Sequence, residues 1–207
     1  MTIMKRILTF LAIFLSVCLY SCSTKDDPTT TTNNNGSTKI NLNVDSLNLD
    51  FEGKGGWGAW TVDADSIKGD LYKISLDNLE QHSGKYSIKM EMYSYPYSKF
   101  GVLGCYLPGN ILGGKNVEVR GWIKTQGVKY GYAGLWITCW DANYKSMGGS
   151  YMPEGGMKGD NDWTQVSVKV KVGLSVVDIG FGGVFQGEGV AWFDDFKLYV
   201  DGVKLTN

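Results

Sequence analysis

Two adjacent carboxylates, Asp194 and Asp195, interrupt the segment 189–200, which is otherwise rich in aromatic and aliphatic side chains. If this segment is a strand, its side chains alternate between two faces, and Asp194 shares a face with Trp192 and Phe196. Asp194 is therefore expected on the core side. A buried carboxylate is costly unless it is paired or hydrogen-bonded. We expect it to accept hydrogen bonds from backbone amides, to pair with a lysine or to bind a cation.

Aromatic and planar polar side chains recur at positions predicted to face solvent. Sugars present apolar C–H faces ringed with hydroxyl groups, so proteins bind them with flat aromatic rings and with carboxylate, guanidinium and amide groups. The sequence predicts a shallow glycan cleft on the outward face of one sheet containing residues 117–125 and 133–140. A structural role is the alternative for each tryptophan, because this residue is usually well buried. The predicted ligand-binding residues are Trp122, Trp136, Trp140, Arg120, Tyr93, Glu91 and Gln186.

Catalysis has little support in the sequence. His82 is the only histidine, so a Ser-His-Asp arrangement would depend on it, yet it lies in a Gln-His-Ser-Gly turn pattern. Glycoside hydrolysis needs two suitably separated acids. Glu91 and Glu118 are the nearest candidates, and neither has a visible partner. We predict that the protein is not an enzyme, with a cryptic glycosidase or lyase as a less favoured alternative.

Short strands are the elements that would position these groups. Apolar and polar residues alternate in several segments, and turn-forming pairs such as Gly113-Gly114 and Gly148-Gly149 separate them. This pattern predicts an all-β fold, an antiparallel β-sandwich or jelly roll, with a closed barrel as the alternative. The alternating segments are 88–93, 117–124, 135–140 and 165–172.

Four short motifs occur in order along the domain and together resemble a known family. The motifs are LDFE at 49–52 followed by Gly56-Trp57, HSGKYSI at 82–88, DWT at 162–164 and WFDDFKL at 192–198. In this order they resemble the galactose-binding-like jelly rolls, which include many carbohydrate-binding modules. The segment 117–140 also resembles non-catalytic domains attached to secreted peptidases and glycosidases of Bacteroidetes. The resemblance implies a sandwich fold and a glycan ligand.

The same resemblance implies a structural calcium ion. In the resembling modules, an acid in the last motif and a glutamate in the first motif hold the ion, together with carbonyl oxygens after the Ser-Gly turn. Carried to this sequence, the side-chain ligands are Asp194 and Glu52, with carbonyl groups near Asp50 and Lys85. Calcium suits such a set because it takes about six to eight oxygens and accepts backbone carbonyls.

The N-terminal segment indicates export. Lys5 and Arg6 precede an apolar run at 7–19 that is too short to span a bilayer and is typical of a secretory signal. The run ends in Leu-Tyr-Ser-Cys, which resembles the lipobox of bacterial lipoproteins and implies an acylated Cys22. An ordinary signal peptide with an incidental cysteine is the alternative. The Lys-Asp-Asp at 25–27 resembles the signal that sends Bacteroidetes lipoproteins to the outer face of the outer membrane.

These features divide the chain into a signal peptide at 1–22, a flexible linker at 23–38 and one domain at 39–207. Within the domain, Cys105 and Cys139 have apolar neighbours at strand spacing, which predicts small buried residues, with a disulfide as the alternative. The chain carries 20 basic and 21 acidic residues, without the basic excess that nucleic-acid binding needs.

Together, these observations predict a lipid-anchored surface protein that binds oligo- or polysaccharide without catalysis. It would assist the capture of polysaccharide or host glycan, in company with other surface glycan-utilisation proteins. The alternative is a protein-interaction or assembly module at the outer membrane.

Overall fold

The computed structural model describes residues 29–32, 38–53, 55–63, 72–94, 99–152 and 156–205. Cys22 and the predicted signal peptide lie outside these ranges. Within them, two short 3-10 helices, Asp45–Leu47 and Asn110–Leu112, are the only helical elements among eleven strands. The described ranges contain no helix long and apolar enough to cross a membrane. The predicted all-β sandwich fold is confirmed.

The strands fall in the following ranges. They are β1 (Thr29–Thr32), β2 (Thr38–Asn41), β3 (Gly58–Asp63), β4 (Lys73–Asp77), β5 (Ser87–Met92), β6 (Lys99–Pro108), β7 (Asn116–Trp140), β8 (Ser146–Tyr151), β9 (Met157–Lys171), β10 (Asp178–Val200) and β11 (Val203–Lys204). All of their pairings are antiparallel.

β1 and β2 form a separate two-stranded sheet. β1 lies in the segment 23–38 that the sequence predicts to be a linker. β1 consists of four threonines, and the β-branched side chain of threonine favours extended strands. An isolated pair of strands is only marginally stable in water, so this hairpin adds little to the stability of the domain.

The sandwich is built around the two longest strands, β7 and β10, which pair with each other along most of their length. In what we call the first sheet, β10 at 178–186 and β7 at 132–140 are neighbours, in the order β3-β6-β10-β7-β8. In the second sheet, β10 at 189–200 and β7 at 116–126 are neighbours, in the order β4-β5-β10-β7-β9. Both long strands therefore belong to both sheets.

Each long strand is irregular between its two halves. The pairing register shifts at Gln186/Glu188 and Glu188/Val190 on β10, opposite residues 126–132 of β7. Gly127 (φ 62°) and Gly187 (φ 105°) adopt backbone conformations that L side chains rarely take. A side chain at Gly187 would also place its Cβ 2.2 Å from the Lys129 carbonyl oxygen. Bulges of this kind bend strands, and here they lead each strand from one sheet into the other.

The main core lies between the two sheets and follows the predicted alternation. Ile88 and Met90 of the second sheet and Leu135 and Ile137 of the first are completely buried. Cys105 and Cys139 are buried free thiols, as the apolar spacing predicts. Burial raises the pKa of the Cys139 thiol to about 11, so this cysteine is chemically unreactive at neutral pH.

The prediction that residues 117–125 and 133–140 share one sheet face is wrong. The inward residues of both segments contact the same core, but the segments are halves of one strand that continues from the second sheet into the first. Because the two sheets pack face to face, their outward faces point in opposite directions. Trp122 therefore lies on one outward face and Trp136 on the other.

Candidate functional site

The outward face of the first sheet carries a second apolar cluster. Trp136 is only 4% exposed and Trp140 only 2%. The prediction that both indoles face solvent is therefore wrong. Gln186 lies half-buried on the same face. The cluster comprises Val102, Trp136, Trp140 and Val184, with Phe100, Tyr106 and Tyr132 packed against it.

Glycines on the neighbouring strand explain why these tryptophans are buried. The Trp136 indole N–H donates to the carbonyl oxygens of Leu103 (3.1 Å) and Gly183 (3.2 Å). A Cβ at Gly180 would lie 2.7 Å from Trp140 Cζ3. The missing side chain thus leaves space for the indole against the sheet. The signal was present in the sequence, because Gly180 and Gly182 alternate with Phe181 opposite the tryptophan-bearing half of β7.

On the outward face of the second sheet, Trp122 and Arg120 already have protein partners. The half-buried Trp122 ring stacks on His82, with centroids 3.8 Å apart and planes 15° apart. Arg120 donates to both carboxylate oxygens of Glu118, at 2.7 and 3.2 Å, and its guanidinium lies 4.0 Å from the ring centroid of Tyr199. The hydrogen bond with Glu118 raises the pKa of Arg120. These contacts make both residues part of the framework of this face.

His82 has a structural position as well. Its Nδ1 is buried without a hydrogen-bond partner and lies 3.9 Å from Asp195 Oδ2. The described neighbours of its ring are Trp122 and Trp163, the latter in an edge contact at 5.9 Å. Asp195 itself accepts a hydrogen bond from Lys197 at 2.8 Å. The contacts of His82 are therefore those of a packed turn residue, which is the role that its turn pattern indicates.

Tyr93 and Glu91, also on this outward face, are brought together as a pair. The Tyr93 hydroxyl donates to Glu91 Oε1 at 3.0 Å, and Lys89 Nζ donates to the same oxygen at 2.8 Å. Lys73 Nζ lies 3.3 Å from Glu91 Oε2. Burial alone would raise the pKa of Glu91, but the hydrogen bonds from Lys89, Tyr93 and Lys73 lower it overall. Glu91 is thus an anchored carboxylate that fixes the orientation of the tyrosine.

A groove of about 320 Å³ adjoins this pair, at the point where β7 and β10 bend. This volume is at the lower end of the range for small-molecule sites. The Tyr93 side chain is 72% exposed and forms one wall. We call this the bend groove. It is lined by Tyr93, Gln126, Gly127, Lys129, Glu188, Gly189 and Val190. Gln126, Lys129 and Glu188 were missed by the sequence analysis, because nothing before the fold is known places them beside Tyr93.

Asp194 is completely buried, and its carboxylate accepts hydrogen bonds from backbone amides. Its Oδ2 accepts hydrogen bonds from the amides of His82 (2.8 Å) and Ser83 (3.0 Å), and its Oδ1 accepts one from the amide of Asp195 (2.6 Å). Burial raises the pKa of Asp194, and these amides offset part of the rise. The carboxylate thereby ties the turn at 82–83 to β10.

The prediction that Asp194 lies on the core side of β10, together with Trp192 and Phe196, is wrong, because Asp194 is the register partner of the outward Trp122. A bulge between Asp194 and Lys197, where Asp195 has a φ of 51°, shifts the alternation. Phe193 therefore faces the core before the bulge, and Phe196 faces it after the bulge. Trp192, which the strict alternation predicts to be inward, points outward, and its indole N–H donates to Asp77 at 2.8 Å.

Like Asp194, Glu52 in the N-terminal segment accepts hydrogen bonds from backbone amides. Its Oε1 accepts hydrogen bonds from the amides of Lys85 (2.7 Å) and Tyr86 (2.9 Å). Gly84 has a φ of 65°, and a Cβ there would lie 2.3 Å from the same carboxylate oxygen. The Ser-Gly turn is therefore shaped to receive Glu52. Asp50 Oδ1 in turn accepts the Glu52 amide at 3.3 Å.

The described residues do not match a calcium site. Asp194 and Glu52 face amide hydrogens, and calcium requires about six to eight oxygen ligands. No group of three or more His, Cys, Asp or Glu in the described ranges is arranged to hold a metal ion. Calcium bound through Glu52, Asp194 and carbonyls near Asp50 and Lys85 thus stays a prediction from the family resemblance. Calorimetric unfolding with and without chelator tests it. An unchanged transition temperature would exclude the predicted calcium ion.

No family model matches the sequence, and no curated protein does. Among solved structures, tailspike protein 4 of Bacteriophage CBA120, in its enzymatically active domain, aligns with 74% of this chain at 10% identity and a TM-score of 0.54. The match covers 21% of the tailspike chain, so this chain corresponds to about a fifth of it. At this identity the likeness shows the fold alone.

The structural neighbours also include carbohydrate-binding modules with β-sandwich folds. The CBM22-1 xylan-binding domain of Paenibacillus barcinonensis Xyn10C aligns with 74% of this chain and 89% of its own, at 13% identity and a TM-score of 0.49. TmCBM61, solved with β-1,4-galactotriose, aligns with 73% of this chain and 94% of its own, at 14% identity and a TM-score of 0.45.

Proposed function

We propose that this protein binds a glycan without catalysis, in the bend groove. One observation carries the proposal. Tyr93 presents an exposed ring whose hydroxyl is fixed by the buried carboxylate of Glu91, at the wall of a groove. A ring held in place before binding loses little conformational entropy when a ligand stacks on it.

The other lining groups complement a sugar. Gln126 offers an amide, Lys129 an ammonium group and Glu188 a carboxylate, and all three line the same space as Tyr93. Hydroxyl groups of a sugar both donate and accept hydrogen bonds, so donors and acceptors around a single aromatic ring suit them. The small volume suits a chain end or a short oligosaccharide. The proposed ligand-binding set therefore keeps Tyr93 and Glu91 from the sequence prediction and adds Gln126, Lys129 and Glu188.

A glycan-array screen of the chain lacking residues 1–22, followed by titration of the best ligand, tests this proposal. Tyr93→Ala should weaken binding about tenfold, because a stacking contact contributes on the order of 1 kcal/mol beyond its buried area. Tyr93→Phe keeps the ring but loses the hydrogen bond to Glu91, so its affinity for the glycan should lie between those of Tyr93→Ala and the parent. Tyr151→Ala is the matched control, because Tyr151 is also an exposed tyrosine with a hydrogen-bonded hydroxyl group and it does not line the groove. Unchanged affinity in Tyr93→Ala would exclude the bend groove.

We further propose that Cys22 carries a lipid and that the domain is displayed on the outer surface of the outer membrane, as an accessory in glycan capture. The lipobox-like sequence before Cys22 supports this proposal. Metabolic labelling with a fatty acid tests the anchor, since Cys22→Ser should abolish incorporation. Protease treatment of intact cells tests the display, because a protected domain would contradict it.

A further inference from the structure

We infer that the bend groove selects a sugar carrying an anionic substituent over the matching neutral sugar. This inference rests on the proposed function and adds the class of ligand. It starts from the charged groups of the groove lining, which are Lys129 and Glu188.

Lys129 is the charged group of the groove that is available to a ligand. It is exposed, and its ammonium group makes no ion pair with a carboxylate of the described residues. Glu188, its register partner on β10, makes an interaction of its own. Among the described residues, the exposed ammonium group of Lys129 is therefore the charge that the lining offers to a ligand.

The carboxylate behind Tyr93 does not reverse this balance. Glu91 is only 10% exposed at its side chain, and Lys73 and Lys89 both lie within 3.3 Å of it. With two ammonium groups around one carboxylate, this cluster carries no excess negative charge towards the groove. The ring of Tyr93 thus stands between a compensated carboxylate and an ammonium group that has no ion-pair partner among the described residues.

Asp160 is the other nearby carboxylate, and it is committed elsewhere. It belongs to β9 and does not line the groove, and its Oδ1 accepts the amide hydrogen of Gly127 at 2.7 Å. This bond fixes the left-handed turn at Gly127 that precedes Lys129. Asp160 therefore helps to position Lys129, and the two side chains form no ion pair in the described structure.

These observations define the chemistry of the ligand. The apolar face of a sugar ring would stack on Tyr93, while a carboxylate or sulfate on that ring would accept a charge-assisted hydrogen bond from Lys129. Such bonds are roughly twice as strong as neutral ones. An uncharged sugar would leave Lys129 with only a hydroxyl partner and would bind more weakly.

The test compares acidic oligosaccharides with their own neutral forms. Oligogalacturonides and glucuronate-bearing xylo-oligosaccharides are titrated beside their methyl esters, which keep the rings and remove the charge, and a sulfated oligosaccharide distinguishes sulfate from carboxylate. The parent should bind one of the acids about tenfold more tightly than its neutral form. The preference should shrink as salt is raised, because exposed charges are screened.

Variants assign the preference to one residue. Lys129→Gln should make the affinities for acid and ester equal, because both ligands then meet the same neutral amide, whereas Lys129→Arg should keep the preference. Lys145→Gln removes an exposed lysine near the β7–β8 turn, away from the lining, as a matched charge control. Circular dichroism checks that each variant is folded.

Each outcome decides the inference. An equal affinity for acid and ester, or a preference that persists in Lys129→Gln, would overturn it. Tyr93-dependent binding of the esters would then leave the glycan-binding proposal standing. Failure of every acidic and neutral glycan to bind the parent would overturn both.

Discussion

On the outward face of the first sheet, the indoles of Trp136 and Trp140 lie against strands that carry glycine, and both rings are almost completely buried. On the outward face of the second sheet, Tyr93 extends into solvent, and the hydrogen bond that the described residues give it is the one from its hydroxyl group to Glu91. Both faces are rich in aromatic residues. The difference lies in their neighbours, because glycine beside an aromatic ring lets it lie flat, whereas charged side chains around it keep a groove open.

This contrast separates two uses of an outward aromatic residue. The tryptophans of the first sheet contribute to stability, since they remove large apolar surfaces from water and the Trp136 N–H donates to backbone carbonyls. Tyr93 contributes little burial and is available to a ligand. Substitutions on the first face should therefore change unfolding, and substitutions at the bend groove should change binding.

The largest effect is expected at the buried indoles. Trp136→Ala should lower the free energy of unfolding by about 3–5 kcal/mol, because it leaves a cavity and frees two carbonyl groups. Urea denaturation measures the change. The comparison of the two faces would be wrong if Trp136→Ala were no more destabilising than Tyr93→Ala.

The next largest effect on stability is expected at Asp194, at the edge of the second sheet. Asp194→Ala removes the acceptor of three backbone amides and should cost roughly 2–4 kcal/mol, because buried donors left unpaired are expensive. Hydrogen exchange should show faster exchange at the amides of His82 and Ser83. Parent-like protection of those two amides in the variant would contradict the role assigned to the carboxylate.

The Glu91 cluster should respond to acid. The pKa of Glu91 is lowered in the folded protein, so its stabilising contribution is complete above its usual value of 4.5 and is lost as the pH falls through the lowered value. At neutral pH, Glu91→Gln should cost about 1–2 kcal/mol. Denaturation at pH 7 and pH 3 measures this, and the gap between parent and variant should narrow at pH 3. A larger difference in unfolding free energy between parent and variant at pH 3 than at pH 7 would contradict the predicted direction of the pH dependence.

The smallest effect is expected for the exposed ion pair on the same face. Arg120→Ala should change the free energy of unfolding less than any of the substitutions above, because solvent screens exposed pairs. Its affinity for the glycan should match that of the parent, since Arg120 is engaged with Glu118 and Tyr199 and does not line the groove. A tenfold loss of affinity in this variant would instead indicate that the glycan binds near Trp122.

The alternation of residues was sufficient to predict the strands and the core, but not the faces on which the remaining side chains meet. Ile88, Leu135 and Val168 are inward as their spacing predicts, because period two survives along each regular stretch. Period two fails where one residue is added. Because the bulge at 194–197 shifts the alternation, the strict pattern assigned Trp192 to the wrong side of β10.

The bend at Gly127 and Gly187 had the larger consequence for the site. A single strand that enters two sheets cannot be distinguished, by periodicity alone, from two strands in one sheet. Trp122 and Trp136 were joined into one cleft for that reason. The bend groove could not be predicted either, because it combines the end of β5 with the middle of β7 and β10, and this contact exists only after long-range pairing.

Because β7 and β10 are shared by both sheets, neither sheet is an independent folding unit. Their register partners come from distant parts of the chain, and such non-local pairing is formed slowly. A polypeptide cut at residue 188 would lose a central strand from the second sheet and leave a new open edge in its place. The domain should therefore unfold in a single cooperative transition, and proteolytic fragments ending at the bend should aggregate.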